Sequence, residues 1–195
     1  MTDSALVIVD MLYDFIDGSL ACLNSKNAVK ETVAFIDKVT AGQEGDDSEI
    51  LDTYPILFVC DHHPADHCSF VSEGGAWPSH CVTGTHGGAV HEMLHPYMNE
   101  ELTFYKGCRK DEEQYSGFDG VNKAGQSLGE VLELLDIKEV NVCGIATEYC
   151  VKATCTDLLK AGFKVRLLSK ALGYVDEAGH LAALDELGKA GVSIL

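Results

Sequence analysis

The chain has 195 residues, of which 46% are hydrophobic, so we expect a single domain over residues 1–195 with a substantial core. Its formal net charge of −17 disfavours nucleic acids and anionic membrane surfaces as partners. No apolar run is long enough to cross a bilayer and no basic leader is present, which predicts a cytoplasmic protein whose 8 cysteines are free thiols.

The first half of the chain begins with regular elements and then becomes irregular. Residues 5–10 (ALVIVD) and 56–61 (ILFVCD) are apolar runs closed by an acid, which is typical of strands buried in a parallel sheet. Between them, apolar residues at helical spacing predict a helix over 26–39, and a polar surface loop follows over 40–53. Residues 62–93 have no regular period but hold several histidines and the only tryptophan, which favours a functional segment.

The second half of the chain alternates strands with helices. The predicted strands span 101–107, 139–144, 163–169 and 191–195, and the predicted helices span 124–135, 147–161 and 176–189. This alternation predicts an α/β fold, a three-layer sandwich with a six-stranded, mainly parallel sheet. If the strand order is 3-2-1-4-5-6, the first and fourth strands are neighbours at the switch point where ligands bind.

Three residues that follow predicted strands suggest nucleophilic chemistry. Asp10 closes the first strand, Lys106 lies at the end of the third, and Cys150 lies in the first turn of the helix after the fourth. A helix N-terminus, with Thr147 as a candidate N-cap, and a nearby cation both lower the pKa of a thiol. Asp10 is then a candidate general base and acid. Taken singly, each residue also has a plain structural explanation, namely a cap, a surface charge and a core thiol.

A second set of residues has the composition of a metal site. Asp61 and His63 project to the same face of an extended segment, and His80 can complete two histidines and one carboxylate. Such a set leaves positions open for water or substrate and suits Zn²⁺, Fe²⁺ or Mn²⁺. The alternative is that these histidines only cap backbone groups in a loop, and for the other histidines, including His62 and His67, we favour that alternative.

The motifs around these residues resemble a known family. The chain is similar to the nicotinamidase/pyrazinamidase family of isochorismatase-like cysteine hydrolases, from LVIVDMLYDF near the start to GVSIL at the end. The segments that carry the resemblance are DHHPADHCSF, WPSHCVTGTHGG, YKG with YSGF, and GIATEYCVKAT.

The resemblance implies an isochorismatase-like hydrolase fold, a site and a reaction. It implies a catalytic triad of Asp10, Lys106 and Cys150 and one divalent ion, with Zn²⁺ favoured, on Asp61, His63 and His80. It also implies a cis peptide at Ile145–Ala146, an oxyanion hole from the backbone N–H groups of Ala146 and Cys150, and ring contacts from Phe15, Trp77 and Tyr115. The expected reaction converts nicotinamide to nicotinate and ammonia through a thioester.

The chain departs from the family pattern at three positions. DMLYDF replaces the usual D-x-Q-N-D-F, which places Leu12 and Tyr13 near Asp10, and His62 stands where an aromatic residue is frequent. Two other functions remain open, an amidase of the same superfamily acting on another small amide and a non-catalytic scaffold stabilised by zinc. The sequence leaves open the metal, activity on pyrazinamide and the number of subunits in a homo-oligomer.

Overall fold

A computed structural model describes residues 3–41 and 54–195 of the chain, so nearly all of the predicted loop over 40–53 lies outside the described residues. The described part contains one six-stranded sheet in which all strand pairs are parallel. The strand order is β3-β2-β1-β4-β5-β6, which confirms the predicted α/β fold and the predicted order. The strands are β1 Ser4–Val9, β2 Ile56–Asp61, β3 Thr103–Lys106, β4 Glu139–Gly144, β5 Lys164–Leu172 and β6 Ser193–Ile194.

Helices cover both faces of this sheet. Alternate residues of β1 point to opposite faces, so that Val7 packs in one core cluster and Ile8 in the other. One cluster includes Leu158 and Leu187 from the helices of the second half, and the other includes Ile36 from the long early helix. The helices are α1 Tyr13–Ile16, α2 Ser25–Thr40, α3 Leu128–Leu134, α4 Lys152–Lys160 and α5 Glu177–Ala190. The molecule is therefore a three-layer sandwich.

Several predicted boundaries shift. The helix predicted at 124–135 begins only at Leu128, because Ser127 and Glu130 form a capping box there. The strand predicted at 163–169 runs on to Leu172, where a register shift lets it pair with Gly144. The last strand shortens to Ser193–Ile194.

The helix predicted at 147–161 has two parts. Its first five residues, Thr147–Val151, form one π-helical turn, and α4 follows directly. The N-cap is Ala146, with no side-chain cap, so the prediction of Thr147 as N-cap is wrong. The Thr147 hydroxyl instead donates to the carbonyl of Gly173 at 3.0 Å. π-helical turns occur frequently at functional sites.

Several short helical segments were not predicted, inside the irregular segment 62–93 and outside it, and one of them occupies the start of the strand predicted at 101–107, which begins only at Thr103. These are the 3₁₀ turns Val71–Glu73, Glu92–Tyr97 and Glu100–Leu102, in addition to α1. Each is too brief to show a hydrophobic period, which explains why sequence patterns do not reveal them. No helix within residues 3–41 and 54–195 has the length and apolar character needed to cross a bilayer.

Candidate active site

The carboxyl edge of the sheet brings Asp10, Lys106 and Cys150 together, although they lie far apart in the chain. β1 and β4 are neighbours, so Asp10 after β1 faces the turn after β4 that carries Cys150. Lys106 ends β3 directly opposite Asp61 at the end of β2. An oxygen of Asp10 and the sulfur of Cys150 lie within 4.8 Å of each other. The three side chains are buried, with exposures of 0%, 1% and 6% for Asp10, Lys106 and Cys150.

Lys106 is the centre of this group. Its ammonium lies 2.9 Å from a carboxylate oxygen of Asp10 and 3.3 Å from the sulfur of Cys150, to which it donates. It also forms a short ion pair with Asp61. Burial alone would lower the pKa of Lys106, but the two carboxylates outweigh it and raise this pKa well above its usual value. The lysine is therefore a fixed positive charge between two acids and a thiol. We call Asp10, Asp61, Lys106 and Cys150 the cleft floor.

The protonation of the cleft floor differs in one respect from the sequence prediction. Burial raises the pKa of Cys150 well above its usual value, and the lowering by Lys106 is too small to reverse this. The resting thiol is therefore protonated, and the predicted net lowering of its pKa is wrong. Burial, together with the charge of Asp61, raises the pKa of Asp10 to about 6, against the opposing effect of Lys106. Asp10 is thus ionised near neutral pH and close enough to accept the thiol proton.

The backbone around Asp10 and Cys150 is unusual. Asp10 has a φ of 50°, a left-handed conformation that is uncommon outside glycine. Its Oδ1 accepts the backbone N–H of Asp61 at 2.8 Å, which fixes the carboxylate. The Ile145–Ala146 peptide is cis, as the resemblance implies. Within the described ranges the N–H of Ala146 has no hydrogen-bond acceptor, so it is free to donate to a ligand.

Asp61, His63 and His80 form a compact cluster beside the cleft floor. One ligand atom from each lies within 4.8 Å of the others, and all three residues are buried. One oxygen of Asp61 pairs with Lys106, and the other lies 3.4 Å from His63 Nε2. Burial opposes ionisation of Asp61, but Lys106 and His63 outweigh it and hold its pKa below the usual range. A charged carboxylate is what a cation ligand must be.

The hydrogen bonds of the two histidines also fit a metal ion. His63 Nδ1 donates to the carbonyl of Gly107 at 2.9 Å, and His80 Nδ1 donates to the carbonyl of Pro78 at 2.7 Å. A carbonyl only accepts, so Nδ1 carries the proton and Nε2 is left as a ligand in each ring. Burial lowers the pKa of His80, which favours its neutral form. The residues therefore fit a divalent ion held by three protein ligands with positions left open.

His62 and His67, the other two histidines of the stretch DHHPADH, do not join the cluster. His67 stacks on His63, with ring centroids 4.1 Å apart. Both of its nitrogens are occupied, Nδ1 by the Ser69 hydroxyl at 2.7 Å and Nε2 by the carbonyl of Glu112 at 3.0 Å. His62 packs on Tyr105 instead, with centroids 4.8 Å apart. His67 therefore supports the ring of His63 from behind.

A cleft opens above the floor and the metal-ligand cluster. Phe15, Trp77 and Tyr115, the three aromatic residues that the resemblance implies as substrate contacts, all line it. Trp77 Nε1 donates to the Tyr115 hydroxyl at 3.2 Å. Tyr149, which the sequence did not single out, contacts both of them, with its centroid 5.0 Å from Trp77 and 5.7 Å from Tyr115. We call Trp77, Tyr115 and Tyr149 the aromatic wall, and Phe15 lies apart from it, 5.4 Å from His80.

The sequence also missed two residues that hold this region in place. Asp14 accepts the N–H of Cys81 at 2.7 Å and of Ser19 at 3.1 Å, which ties the segment carrying His80 to α1. Gln114 lines the cleft and accepts the N–H of Gly107 at 3.0 Å. Neither residue belongs to a periodic pattern. The partner of Asp14, Cys81, is distant in sequence, and Gln114 lies in an irregular loop.

The departures from the family pattern near Asp10 are accommodated by packing. Leu12 is fully buried and pairs with Val90 in an isolated antiparallel bridge. Tyr13 stacks on His86 with centroids 4.0 Å apart, and its hydroxyl accepts the N–H of Glu92 at 3.2 Å. These two residues anchor residues 86–92 to α1, and neither lines the cleft.

Comparisons with known proteins agree with this architecture. The isochorismatase domain model matches residues 4–195 of the chain. A nicotinamidase/pyrazinamidase of Mycobacterium tuberculosis is 32% identical over 194 residues, covering 98% of this chain and 97% of that protein. A nicotinamidase of Escherichia coli is 30% identical and covers 100% of this chain and 95% of that protein.

Two solved structures are similar over the whole chain. The pyrazinamidase of Pyrococcus horikoshii in complex with zinc superposes with a TM-score of 0.82 at 33% identity, covering 100% of this chain and 99% of that chain. A protein of L. infantum in complex with nicotinate superposes with a TM-score of 0.83 at 33% identity, covering 100% of this chain and 94% of that chain.

Proposed function

The chain belongs to the isochorismatase domain family, and from this premise we propose that it is a nicotinamidase, which hydrolyses nicotinamide to nicotinate and ammonia. The observation that carries the proposal is the contact of Lys106 with both Asp10 and Cys150 at the floor of a cleft. A thiol, a base and a fixed cation at one point are the components of a cysteine amidohydrolase. The nicotinamidases and pyrazinamidases among the full-length relatives favour a pyridine or pyrazine carboxamide as substrate.

The proposed reaction begins with proton transfer. Cys150 attacks the carboxamide carbon, and the thiol proton moves to Asp10, which is ionised near neutral pH. The negative charge that develops on the carbonyl oxygen is stabilised by the N–H groups of Ala146 and Cys150. Asp10 then gives the proton to the departing nitrogen, so that ammonia leaves and a thioester on Cys150 remains. Lys106 compensates the negative charge of the cleft floor throughout.

The second half-reaction restores the enzyme. Asp10 takes a proton from a water molecule, which attacks the thioester carbon. The carbon–sulfur bond breaks, Asp10 gives its proton to the sulfur, and the product leaves as nicotinate once its carboxyl proton has passed to solvent. Phe15, Trp77 and Tyr115 contact the aromatic ring and exclude water from the attacking sulfur.

Asp61, His63 and His80 are proposed to hold one divalent ion, with Zn²⁺ favoured and Fe²⁺ or Mn²⁺ as alternatives. When bound, such an ion would supply a Lewis acid that holds the ring nitrogen of nicotinamide, directly or through a bound water. The three ligand atoms would be an oxygen of Asp61 and the Nε2 atoms of His63 and His80, because Nδ1 of each histidine already donates to a backbone carbonyl. A purely structural zinc site would normally have four protein ligands, which argues against the scaffold alternative.

The first prediction tests the nucleophile. Cys150→Ala should abolish ammonia release from nicotinamide while leaving the metal content unchanged, because its side chain is not needed to hold the ion. Cys155→Ala is the matched control, since Cys155 is a fully buried core thiol one helical turn away and should keep the rate near wild type. Ammonia release is measured with a coupled assay, and bound metal by elemental analysis.

The opposing outcomes separate the alternatives. Near-normal turnover by Cys150→Ala would contradict the thioester route. A wild-type chain that is inactive on nicotinamide but releases ammonia from another small amide, through Cys150, would favour the related amidase.

Treatment with a chelator should lower the rate on nicotinamide, and addition of the ion should restore it.

A further inference from the structure

The backbone at Lys106–Gly107 is held from two sides. The carbonyl of Lys106 accepts the N–H of His62 at 2.9 Å. The N–H of Gly107, in the same peptide unit, donates to Oε1 of Gln114 at 3.0 Å. Both polar groups of this peptide are thus satisfied, one by the segment that carries His63 and the other by the side chain of Gln114. This peptide bond joins Lys106 of the cleft floor to Gly107, which contacts the proposed metal ligand His63.

Gly107 lies directly against the ring of His63. Its carbonyl accepts His63 Nδ1 at 2.9 Å, which fixes the tautomer with Nε2 free. It has a φ of 63°, and a Cβ built on it would lie 2.4 Å from Cε1 of His63. Only glycine fits this backbone position, so the orientation of the imidazole follows the orientation of the Gly107 backbone.

The orientation of the Gln114 amide is determined by this contact. A backbone N–H can only donate, so the amide oxygen of Gln114 must face Gly107 and the NH₂ must point elsewhere. Gln114 is the one side chain among the described residues that accepts this N–H. Its neighbours make other contacts: Glu112 pairs with Arg109 at the surface, Tyr115 bonds to Trp77, and Glu113 lines the cleft.

We propose that Gln114 is a positioning residue for the metal ligand His63 and acts through the Gly107 backbone. This inference rests on the metal site of the proposed function and extends it to a residue outside the ligand set. Groups that orient a ligating histidine raise metal affinity, and their loss typically costs about 10–100-fold. Because Gln114 acts one residue further away, we expect a loss near the lower end, about tenfold.

Substitutions at Gln114 can separate the acceptor from the volume of the side chain. Gln114→Met keeps the length of the side chain but removes the oxygen that faces Gly107. Gln114→Glu keeps an oxygen there. We expect Gln114→Met to weaken Zn²⁺ binding about tenfold. Gln114→Glu should bind Zn²⁺ within about twofold of wild type or more tightly, because it retains the acceptor. Affinity is measured without substrate, by competition with a chromophoric chelator.

Gln126→Ala is the matched control. Gln126 lies in the same half of the chain, but its side-chain oxygen accepts from Asn122 Nδ2 at 3.4 Å and makes no hydrogen bond with Gly107 or His63. Its Zn²⁺ affinity should equal that of wild type. Circular dichroism of the metal-free proteins checks that each variant is folded, and an unfolded Gln114→Met is replaced by Gln114→Leu, which lacks the acceptor as well.

The result that would overturn the inference is a folded variant without the acceptor that binds Zn²⁺ as tightly as wild type. Equal weakening in Gln114→Met and Gln114→Glu would also overturn it, because loss of packing would then be the cause. These outcomes concern only the binding of Zn²⁺, so they would not count against the proposed hydrolysis of nicotinamide. A wild-type chain that binds no divalent ion would overturn both this inference and the proposed metal site.

Discussion

The cleft floor and the aromatic wall face the same space but are built differently. In the floor, Asp10, Asp61, Lys106 and Cys150 are buried at the ends of strands and hold one another through charge contacts. The wall consists of half-buried rings from three separate loops and turns, with one edge contact, one tilted contact and one hydrogen bond between them. On the proposed function, the chemistry would depend on the sheet edge, and ring recognition would depend on loops and turns outside the sheet.

This difference predicts two kinds of variant. Changes in the floor remove a charge from a buried, mutually dependent set, so they should be costly for both stability and turnover. Changes in the wall remove part of a contact surface, so they should act mainly on substrate binding. The predictions below test this separation from the largest effect to the smallest.

Lys106→Met should have the largest effect. The variant keeps the volume of the side chain but leaves the carboxylates of Asp10 and Asp61 facing each other without a cation. Breaking a buried pair in this way typically costs about 3–5 kcal/mol, and turnover should be lost as well. Both carboxylates lose their charge on protonation, so the deficit should be greatest at neutral pH and shrink as the pH falls. Urea unfolding of the metal-free proteins at two pH values measures it.

A surface lysine provides the control for that experiment. Lys123 pairs with Glu100 at 2.7 Å, but both side chains are largely exposed. Lys123→Met should therefore leave the free energy of unfolding and the activity unchanged, because exposed pairs contribute little. A Lys106→Met variant as stable as the wild type at pH 7 would contradict the central role of this lysine in the cleft floor.

Asp10→Asn should have the next largest effect, with a large loss of turnover and a smaller loss of stability than Lys106→Met, because Lys106 keeps its pair with Asp61. The Asn side chain can still accept the N–H of Asp61, but it cannot take a proton from Cys150. Removal of a general base typically costs about 10²–10⁴ in rate. With its pKa raised to about 6, Asp10 loses its charge as the pH falls below that value. The wild-type kcat/KM on nicotinamide should therefore fall on that side.

The pH–rate profile distinguishes a base from a merely structural residue. In Asp10→Asn the acid limb near pH 6 should be absent, because no group with that pKa remains in contact with the thiol. If the limb persisted in the variant, another residue would be the base. A loss below tenfold at pH 7 would lead to the same conclusion.

The sequence predicted most of the cleft floor because strand ends are visible in it. ALVIVD and ILFVCD each place an acid at the carboxyl end of a buried strand, and the parallel topology brings such ends to one edge. The proposed metal ligands Asp61 and His63 lie at and just after the end of the second of these strands. The short helical segments and the π-turn at 147–151 were not predictable, since they are shorter than any hydrophobic period.

Burial explains the remaining differences. The sequence places Cys150 at a helix N-terminus beside a cation, which favours a thiolate, but it does not show that the sulfur would be almost fully enclosed. Equally, His63 and His67 differ by four positions and share a loop. Only their contacts show that Nε2 of His63 faces Asp61, the neighbouring member of the cluster, whereas both nitrogens of His67 are occupied by groups outside it. Gln114 was missed because its partner is a backbone N–H, and such contacts cannot be predicted from the pattern of side chains in the sequence.

Trp77→Phe should have the smallest effect and tests the aromatic wall. The substitution keeps an aromatic ring but removes the Nε1 donor that reaches the Tyr115 hydroxyl. Loss of one half-exposed hydrogen bond is worth about 1 kcal/mol, so KM for nicotinamide should rise up to about fivefold while kcat stays near wild type.

Tyr115→Phe removes the other half of the same hydrogen bond and should give a similar rise in KM. If loss of this hydrogen bond is the shared cause, KM of the double variant should be no higher than that of either single variant, because the bond is already absent in each of them. Additive effects would mean that each ring contacts the substrate independently. A fall in kcat of the size expected for Asp10→Asn would break the comparison, since the wall would then act on the chemical step rather than on the position of the ring.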